Sequence, residues 1–365
     1  MRPSKFLFWA SGALIVHTHV GYPALLWLLA RRTHAQPPPP AGGAEPPVSV
    51  VVAAYDEEDV IARKVENVLA LDYPRERLEL IVASDGSGDA TVERARAAGA
   101  DLVLELPRGG KVRAPDQAVE RARGEIVVFS DANAQLAPDA LRRLVARFAA
   151  DPALGYVCGQ VRFTTEAGDN QEGLYWRYEM AVRELESRVG DVTAGNGALY
   201  ATRRASYVVV DPRMGHDLSF PFNMVKRGWR AKYEPSATAT EKTTPTNEAE
   251  FSRKRRMMSH TWPILLTGGL LDPRGYSPLY AFQVFSHRLL RYLTPFLHVA
   301  ALFASVRARY RAALALQVAF FASAALGVPR LARYYVLVTA SSAFGLYDWL
   351  RSGTPAGWEK AEGTR

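Results

Sequence analysis

The sequence predicts an α/β fold with a mostly parallel sheet, flanked by helices and bordered at both ends of the chain by apolar helices. Between residues 48 and 150, short apolar segments alternate with segments of helical spacing, the pattern typical of parallel sheets. Polar side chains follow several of the apolar segments, which is where ligands bind in open α/β sheets. Charge-free apolar stretches lie before and after this region.

The individual elements follow from hydrophobic spacing and length. The segment 56–71 shows helical spacing most clearly, with Val60, Ile61, Val65 and Val68 on one face. No internal repeat is visible. Strands are predicted at 48–53, 78–83, 102–106, 126–129, 156–163 and 199–201, and helices at 56–71, 91–98, 116–123, 138–150, 170–188 and 222–227.

The first apolar stretch predicts a membrane anchor. Residues 6–30 contain no Asp, Glu, Lys or Arg, which is long enough for a spanning helix. A cleaved signal peptide is the alternative, but its apolar core would be unusually long. Arg31 and Arg32 follow the segment and favour a cytoplasmic carboxyl side. Residues 31–47, rich in Pro, Gly and Ala, are predicted to form a linker.

The C-terminal part is apolar again, in shorter pieces. Residues 263–291 are predicted to contain interfacial helices, because 275–287 is uncharged and aromatic. Residues 292–350 hold three charge-free pieces, of which only one reaches spanning length, so we expect two or three membrane segments followed by a polar tail at 351–365. The sequence therefore predicts a multi-pass protein of the inner (plasma) membrane, with the domain at 48–262 on the cytoplasmic side.

Composition narrows the function class. The 365 residues carry a formal net charge of +8. With no nucleic-acid module present, this basic balance indicates lipid headgroups and anionic substrates, and we expect no nucleic-acid partner. The single cysteine, Cys158, excludes an intramolecular disulfide and is expected in the core. No dinucleotide-binding or P-loop glycine motif occurs, which counts against dehydrogenases and P-loop nucleotidases.

Three predicted strand ends carry polar residues. Asp131 and Asn133 close the fourth strand, and a carboxylate and an amide one residue apart suit a hard divalent cation shared with a phosphate. A plain Asx turn is the alternative. Tyr55 and Glu57 follow the first strand and Asp85 the second, so we expect three strand ends to converge on one pocket.

Six segments keep a recognisable order: VSVVVAAYDEE (48–58), SDGSGDAT (84–91), FSDAN (129–133), AGNGALY (194–200), GHD (215–217) and RKRR (253–256). Together they resemble the family 2 inverting glycosyltransferases of the membrane-bound branch that includes cellulose-synthase-like and hyaluronan-synthase-like enzymes. The resemblance covers residues 48–256. It implies the Rossmann-like catalytic fold called GT-A and transfer of a sugar from a nucleotide sugar with inversion.

The resemblance assigns donor-binding roles to residues of the first half of the domain. Tyr55 and Glu57 stand where the nucleotide pocket begins, and Asp85 would accept a hydrogen bond from the imino group of a uracil-like base. Lys111 lies in the loop that carries a lysine toward the phosphates in the family. The continuation of that loop, Val-Arg-Ala-Pro, departs from the family's Asn-rich pattern.

The resemblance also assigns the metal and the diphosphate. Asp131 would hold Mg²⁺ or Mn²⁺ bridging the diphosphate. Asn133 stands in place of the family's second aspartate, and its amide oxygen is a weaker metal ligand. Arg256 is assigned to the diphosphate, although the Gln and Trp of the family's element are missing. A headgroup-binding basic run is the alternative for this segment.

Asp217 is the predicted catalytic base. Inversion is a single displacement, so one carboxylate must take the proton of the acceptor hydroxyl. A helix N-cap is the alternative reading for Asp217, and His216, which replaces an acidic residue of the family, is expected to be an ordinary loop histidine. Gly195, Asn196 and Gly197 are expected to shape the acceptor side, with a plain β-turn as the alternative.

The sequence thus predicts a membrane-anchored inverting glycosyltransferase that uses a UDP-sugar and Mg²⁺ or Mn²⁺. The acceptor would be a glycan or a lipid-linked sugar in envelope or exopolysaccharide synthesis, with the bilayer and other polysaccharide-synthesis subunits as candidate partners. Two alternatives stay open. One is a transferase that adds a single sugar to a polyprenyl phosphate, and the other is a catalytically silent membrane scaffold or sugar-binding subunit.

Overall fold

One eight-stranded sheet forms the centre of the computed structural model, which describes residues 2–33, 45–164, 171–242 and 247–354. The predicted linker 31–47, the start of the predicted helix at 170 and the polar tail 351–365 lie largely outside the described residues. The strands run in the order β3-β2-β1-β4-β7-β6-β8-β5. They are β1 (Val48–Ala54), β2 (Leu78–Asp85), β3 (Leu102–Leu106), β4 (Ile126–Asp131), β5 (Gln135–Leu136), β6 (Leu154–Thr164), β7 (Tyr200–Arg203) and β8 (Arg230–Lys242).

Helices cover both faces of the sheet and extend the chain at both ends. Within the catalytic region they span Ile61–Leu69, Thr91–Ala97, Arg113–Arg121, Ala140–Ala150, Gln171–Val189, His216–Lys226 and Asn247–Leu266. At the ends they span Pro3–Ala30, Pro278–Ala308, Arg311–Leu326 and Arg330–Ser352. The fold class predicted from the sequence is confirmed.

β1 sits in the middle of the parallel half of the sheet. It pairs in parallel with β2 on one side and with β4 on the other, and β2 pairs in parallel with β3. All seven residues of β1 are buried, because alternate side chains enter the apolar cores on the two faces. Val50 and Val52 pack on one face and Val51 on the other.

The other half of the sheet is mixed: β6 and β8 pair in parallel, and the remaining pairs are antiparallel. β7 is antiparallel to β4 and to β6, and β5 is antiparallel to β8. β8 was not predicted at all. Its inward residues are small, as at Ala237 and Ala239, and Pro235 lies in an irregular stretch of the pairing with β6. Low β-propensity and an internal proline both conceal a strand.

Two long helices are apolar enough to cross a membrane by length and composition: Pro3–Ala30 and Pro278–Ala308. The pair Arg311–Leu326 and Arg330–Ser352, bent by 98°, counts as a third span if it acts as one. These totals refer to the described part of the chain. The boundary predicted between interfacial helices and membrane segments at 291/292 falls inside the helix Pro278–Ala308.

A buried carboxylate joins the two long apolar helices to the catalytic region. Glu186, which is 0% exposed, accepts hydrogen bonds from the Tyr22 hydroxyl (2.6 Å) and the Thr193 backbone N–H (2.9 Å), and its Oε1 lies 2.7 Å from His287 Nδ1. Arg288 Nε in turn donates to the Thr193 hydroxyl at 2.8 Å. Burial opposes the charge of Glu186, but His287, Arg288 and the hydrogen bonds outweigh it and lower its pKa to about 2.

We expect Tyr22→Phe to destabilise the protein more than Tyr178→Phe. The Tyr22 hydroxyl donates to a buried carboxylate, a bond worth about 1.5–3 kcal/mol, whereas a bond to a neutral acceptor is worth about 0.5–1.5 kcal/mol. Tyr178 is a matched control, because its hydroxyl donates at 2.9 Å to the neutral backbone carbonyl of His19. Thermal midpoints of the detergent-solubilised variants measure the difference. Equal midpoints would show that Glu186 does not hold the N-terminal helix.

Candidate active site

The three predicted strand ends meet at one edge of the sheet. Because β2, β1 and β4 are adjacent and parallel, their carboxyl ends lie side by side. The loops that follow β1 and β2 are tied together: the Gly88 N–H donates to Asp56 Oδ1 at 2.7 Å, and the Glu57 N–H donates to the Thr91 hydroxyl at 2.7 Å. Glu57 itself is buried.

Asp85 is buried at the end of β2 and anchors the next loop. Its carboxylate accepts from the backbone N–H groups of Gly109 (2.6 Å) and Gly110 (3.0 Å) and lies 3.2 Å from Arg108 Nη1. The Arg108 guanidinium also stands 3.2 Å above the ring of Tyr55. Tyr55, Asp85 and Arg108 therefore form one contiguous polar and aromatic surface. The predicted contact of Asp85 with a base remains a prediction.

The same loop delivers Lys111 to the end of β4. Lys111 Nζ lies 2.6 Å from Asp131 Oδ1. Burial opposes the charge of this ammonium, but Asp131, Glu241 and Asp217 outweigh it, so the pKa of Lys111 is raised. Lys111 is therefore charged at neutral pH, next to the carboxylate that the sequence assigns to the metal.

Oxygen donors at this edge fit a divalent cation shared with a ligand. The strand end presents the Asp131 carboxylate and, two residues later, the Asn133 amide. No cluster of three or more His, Cys, Asp or Glu side chains able to hold a metal occurs among the described residues. A site with one or two carboxylates that relies on substrate phosphates is the kind that Mg²⁺ favours. Asp131 and Asn133 would hold such an ion.

The turn at 195–197 borders this pocket. A Cβ on Gly195 would meet the Tyr156 hydroxyl at 1.8 Å, so only glycine fits there. Asn196 is used internally: its Nδ2 donates to the Gly159 carbonyl at 2.7 Å, and its Oδ1 accepts from the Leu199 N–H at 2.9 Å. A Cβ on Gly197 would stand 3.5 Å from Asp131 Oδ2. Gly197 is thus the member of the turn that faces the metal-side carboxylate.

Asp217 lies in the first turn of the helix His216–Lys226. The N-cap residue is Gly215, and no side chain caps this end, so Asp217 is not the N-cap residue. Its backbone carbonyl accepts from the Gly195 N–H at 2.7 Å, which joins the catalytic candidate to the turn at 195–197. Asp217 also contributes to the raised pKa of Lys111. The structure therefore brings Asp131, Lys111 and Asp217 to one site.

His216 is not an ordinary loop histidine. It is the first helical residue, is 7% exposed, and stacks on Phe220 with ring centroids 4.0 Å apart. Its Nδ1 lies 2.7 Å from the Tyr200 hydroxyl. Burial, and secondarily the charge of Lys111, lower the pKa of His216 to about 3. The imidazole is therefore neutral and takes no part as an acid at neutral pH.

The basic run 253–256 lies in the helix Asn247–Leu266 and is mostly paired. Arg253 and Lys254 pair with Glu250, and Arg255 pairs with Asp348. Internal ion pairs leave little of this run for lipid headgroups.

Arg256 has a different setting. It makes no salt bridge within the described ranges. Burial lowers the pKa of the nearby His260 and the charge of Arg256 lowers it further, whereas a hydrogen bond to the Arg213 backbone and the charge of Asp217 raise it. The contact of Arg256 with a diphosphate stays a prediction.

Sequence reasoning missed four residues near the site: Lys64, Arg108, Glu241 and His260. Lys64 was hidden in an amphipathic helix, where a lone lysine normally faces water. Glu241 lies in β8, which was not predicted. Burial and the charge of Asp131 raise the pKa of Glu241 to about 7, against Lys111, Arg253 and Lys64. Lys64 could have been found from the sequence, because it is a charged residue on an otherwise apolar helical face.

Comparison with known proteins assigns part of the chain to a protein family. Residues 49–208 match the profile described as "Glycosyl transferase family 2". These residues form a family 2 glycosyltransferase domain. The mannosyltransferase PcManGT from Pyrobaculum calidifontis, solved with GDP-Man and Mn²⁺, superposes with a TM-score of 0.73 at 26% identity. The match covers 94% of this chain and 99% of that one, and the shared fold is GT-A.

Curated relatives match about half of the chain. The poly-beta-1,6-N-acetyl-D-glucosamine synthase of Staphylococcus aureus (strain MSSA476) is 28% identical over 194 residues, 50% of this chain and 47% of that protein. An N-acetylglucosaminyltransferase of Rhizobium sp. (strain N33) is 29% identical over 185 residues, 45% of this chain and 41% of that protein. The chain thus matches less than half the length of these relatives. The family 2 domain predicted from the sequence is confirmed for residues 49–208.

The buried neutral His216 predicts a pH-dependent stability. The unfolded chain binds a proton at His216 below a pKa of about 6.5, which the folded chain does not do until about 3. This residue therefore removes stability as pH falls from about 6.5 toward 3. Between pH 7.5 and pH 5, we expect the free energy of unfolding to fall by roughly 1–2 kcal/mol less in His216→Phe than in the natural protein.

Thermal midpoints of both proteins at the two pH values check this. Comparing each protein with itself cancels the constant cost of losing the Tyr200 contact. An identical drop in both proteins would show that His216 is protonated in the folded state.

Proposed function

We propose that this chain is a membrane-anchored, inverting glycosyltransferase that moves a sugar from a nucleoside-diphosphate sugar to a glycan or lipid-linked acceptor. The observation that carries the proposal is the meeting of Lys111, Asp131 and Asp217 at the carboxyl edge of a family 2 domain. A binding subunit would need no carboxylate beside the acceptor turn. We infer that Tyr55, Glu57, Asp85 and Arg256 bind the donor, and that Gly195, Asn196 and Gly197 border the acceptor.

The chemical step is a single displacement. The acceptor hydroxyl oxygen forms a bond to the anomeric carbon while the bond from that carbon to the diphosphate oxygen breaks, which inverts the configuration. Asp217 takes the hydroxyl proton, and the nucleoside diphosphate leaves with the bonding electron pair. Lys111 stabilises the charge that develops on the diphosphate, in a position fixed before the reaction.

A divalent cation held by Asp131 and Asn133 would supply Lewis-acid stabilisation of the leaving diphosphate. Support for this comes from the donor set and from the Mn²⁺ in the solved mannosyltransferase. We infer that chelation abolishes transfer and that Mg²⁺ or Mn²⁺ restores it.

The comparisons support two donor classes. The curated relatives are named for N-acetylglucosamine transfer, which agrees with the UDP-sugar that the resemblance implies. The solved mannosyltransferase holds GDP-Man and matches nearly the whole chain. We propose a UDP-sugar as the donor, with GDP-mannose as the competitor that a donor screen must include.

The membrane placement is part of the proposal. Two or three candidate spans, with Arg31 and Arg32 after the first helix, support a multi-pass protein of the plasma membrane with a cytoplasmic catalytic domain. Other polysaccharide-synthesis subunits are candidate partners.

We expect Asp217→Asn to lower the rate of transfer by about 10²–10⁴ while nucleotide binding is unchanged, because only the proton acceptor is lost. Asp211→Asn is a matched control in the loop before the same helix, since Asp211 pairs with Arg213 rather than with the site. Detergent-solubilised full-length protein with radiolabelled UDP-N-acetylglucosamine and GDP-mannose, with and without Mn²⁺, measures both. Full transfer by Asp217→Asn with normal UDP or GDP binding would disprove the mechanism.

A second candidate stays open from the sequence: one sugar is added to a polyprenyl phosphate. Product size separates the candidates. A ladder from a single labelled donor indicates a polymerase, and one discrete lipid product indicates single addition. A natural protein that binds nucleotide sugar but transfers nothing to either acceptor class would indicate a scaffold.

A further inference from the structure

A fully buried lysine lies beneath the candidate metal site. Lys64 is 0% exposed on the helix Ile61–Leu69, whose other inward residues, Ile61, Val65 and Val68, are apolar core. Lys64 Nζ donates to the Ser130 hydroxyl and to the Ala134 carbonyl, both at 2.7 Å. These two acceptors bracket Asp131 and Asn133. One ammonium therefore holds both ends of the segment that carries the metal-binding candidates.

The same contact reaches the acceptor turn. The Ser130 hydroxyl donates to the Ala198 carbonyl at 2.8 Å, and Ala198 directly follows Gly197. Lys64, Ser130 and Ala198 form a chain of hydrogen bonds from the helix, through the end of β4, to the turn that faces Asp131. The chain joins the two sides of the proposed site from below.

A buried ammonium is an expensive way to stabilise a fold. Removing such a charge from water costs several kcal/mol, and an apolar side chain of similar volume serves stability as well or better. Burial lowers the pKa of Lys64 to about 7, although two nearby carboxylates, Asp131 and Glu241, oppose that shift and favour the charged form. Glu241 reaches this place because Thr240, its neighbour in β8, pairs with Gln135 of β5.

We propose that Lys64 is a positioning residue that fixes the segment Ser130–Ala134 in the geometry in which Asp131 holds a divalent cation. The proposal rests on the proposed function, since it needs Asp131 to be a metal ligand. Groups that orient metal ligands from behind typically change metal affinity by about 10- to 100-fold when removed. Lys64 acts through Ser130 and the Ala134 carbonyl, not by contact with substrate.

The test compares Lys64→Met with Asn67→Ala. Lys64→Met keeps volume but removes the charge and both hydrogen bonds. Asn67 lies one turn further along the same helix and likewise makes two hydrogen bonds to the chain after β4, at 2.8 and 3.0 Å to the backbone of Leu136, but does not contact Ser130. Electron paramagnetic resonance of free Mn²⁺ during titration of the full-length protein gives the affinity, with Mn²⁺ alone and with UDP or GDP.

We expect Lys64→Met to weaken Mn²⁺ binding by about 10- to 100-fold, and to raise the Mn²⁺ concentration needed for transfer by a similar factor. Asn67→Ala should change Mn²⁺ affinity by less than about twofold, even where it lowers the thermal midpoint. Ser130→Ala should weaken Mn²⁺ binding several-fold, and its effect should not add to that of Lys64→Met, because both break one chain.

Unchanged Mn²⁺ affinity in Lys64→Met would overturn the proposal. If that variant does not fold, Ser130→Ala decides by the same criterion. Asp131→Asn separates this proposal from the proposed function. Loss of Mn²⁺ binding in Asp131→Asn, with none in Lys64→Met, overturns only the role of Lys64. Normal Mn²⁺ binding and transfer in Asp131→Asn overturns the metal site itself.

Discussion

The parallel alignment of β2, β1 and β4 is the constraint on which the candidate site depends. Adjacent parallel strands end at the same edge, so Asp85 and Asp131 are brought to one edge by backbone pairing alone. The loop 107–111 then spans from the first carboxylate to the second. Its glycines donate to Asp85, and its lysine pairs with Asp131.

Carboxylates and ammonium groups lie close together at this edge of the sheet and compensate each other's charge. Asp131, Glu241 and Asp217 lie near Lys111, and Lys64 compensates Asp131 and Glu241 from the buried side. Carboxylates this close repel each other unless cations lie between them. The two lysines therefore allow these carboxylates to share one edge of the sheet.

The polar network around Glu186 likewise compensates a buried charge, and it contacts the two long apolar helices. Glu186 contacts Tyr22 of the first helix and His287 of the helix Pro278–Ala308, while Thr193 connects it to the turn at 195–197. The Gly195 N–H then reaches the backbone of Asp217. The position of Asp217 thus depends on how the two apolar helices pack against the catalytic region. The helices and the catalytic region therefore form one connected structure.

Much of the first half of the fold follows from the sequence, because apolar β-branched runs and helical spacing are strong there. The family's motifs located the ends of β1, β2 and β4 in the same way. β8 could not be predicted, since its alanines and its internal proline give little strand signal. With β8 hidden, Glu241 was hidden as well. Lys64 and His216 were missed for another reason: their roles depend on burial, which a single sequence does not reveal for a polar side chain.

The most direct test of the central claim is X-ray diffraction at the manganese absorption edge, from crystals grown with Mn²⁺ and the nucleoside diphosphate of the active donor. The structure predicts an anomalous peak within about 2.5 Å of an Asp131 carboxylate oxygen, on the side that faces Gly197. A manganese peak that lies only elsewhere, with the diphosphate bound at the sheet edge, would contradict the assignment.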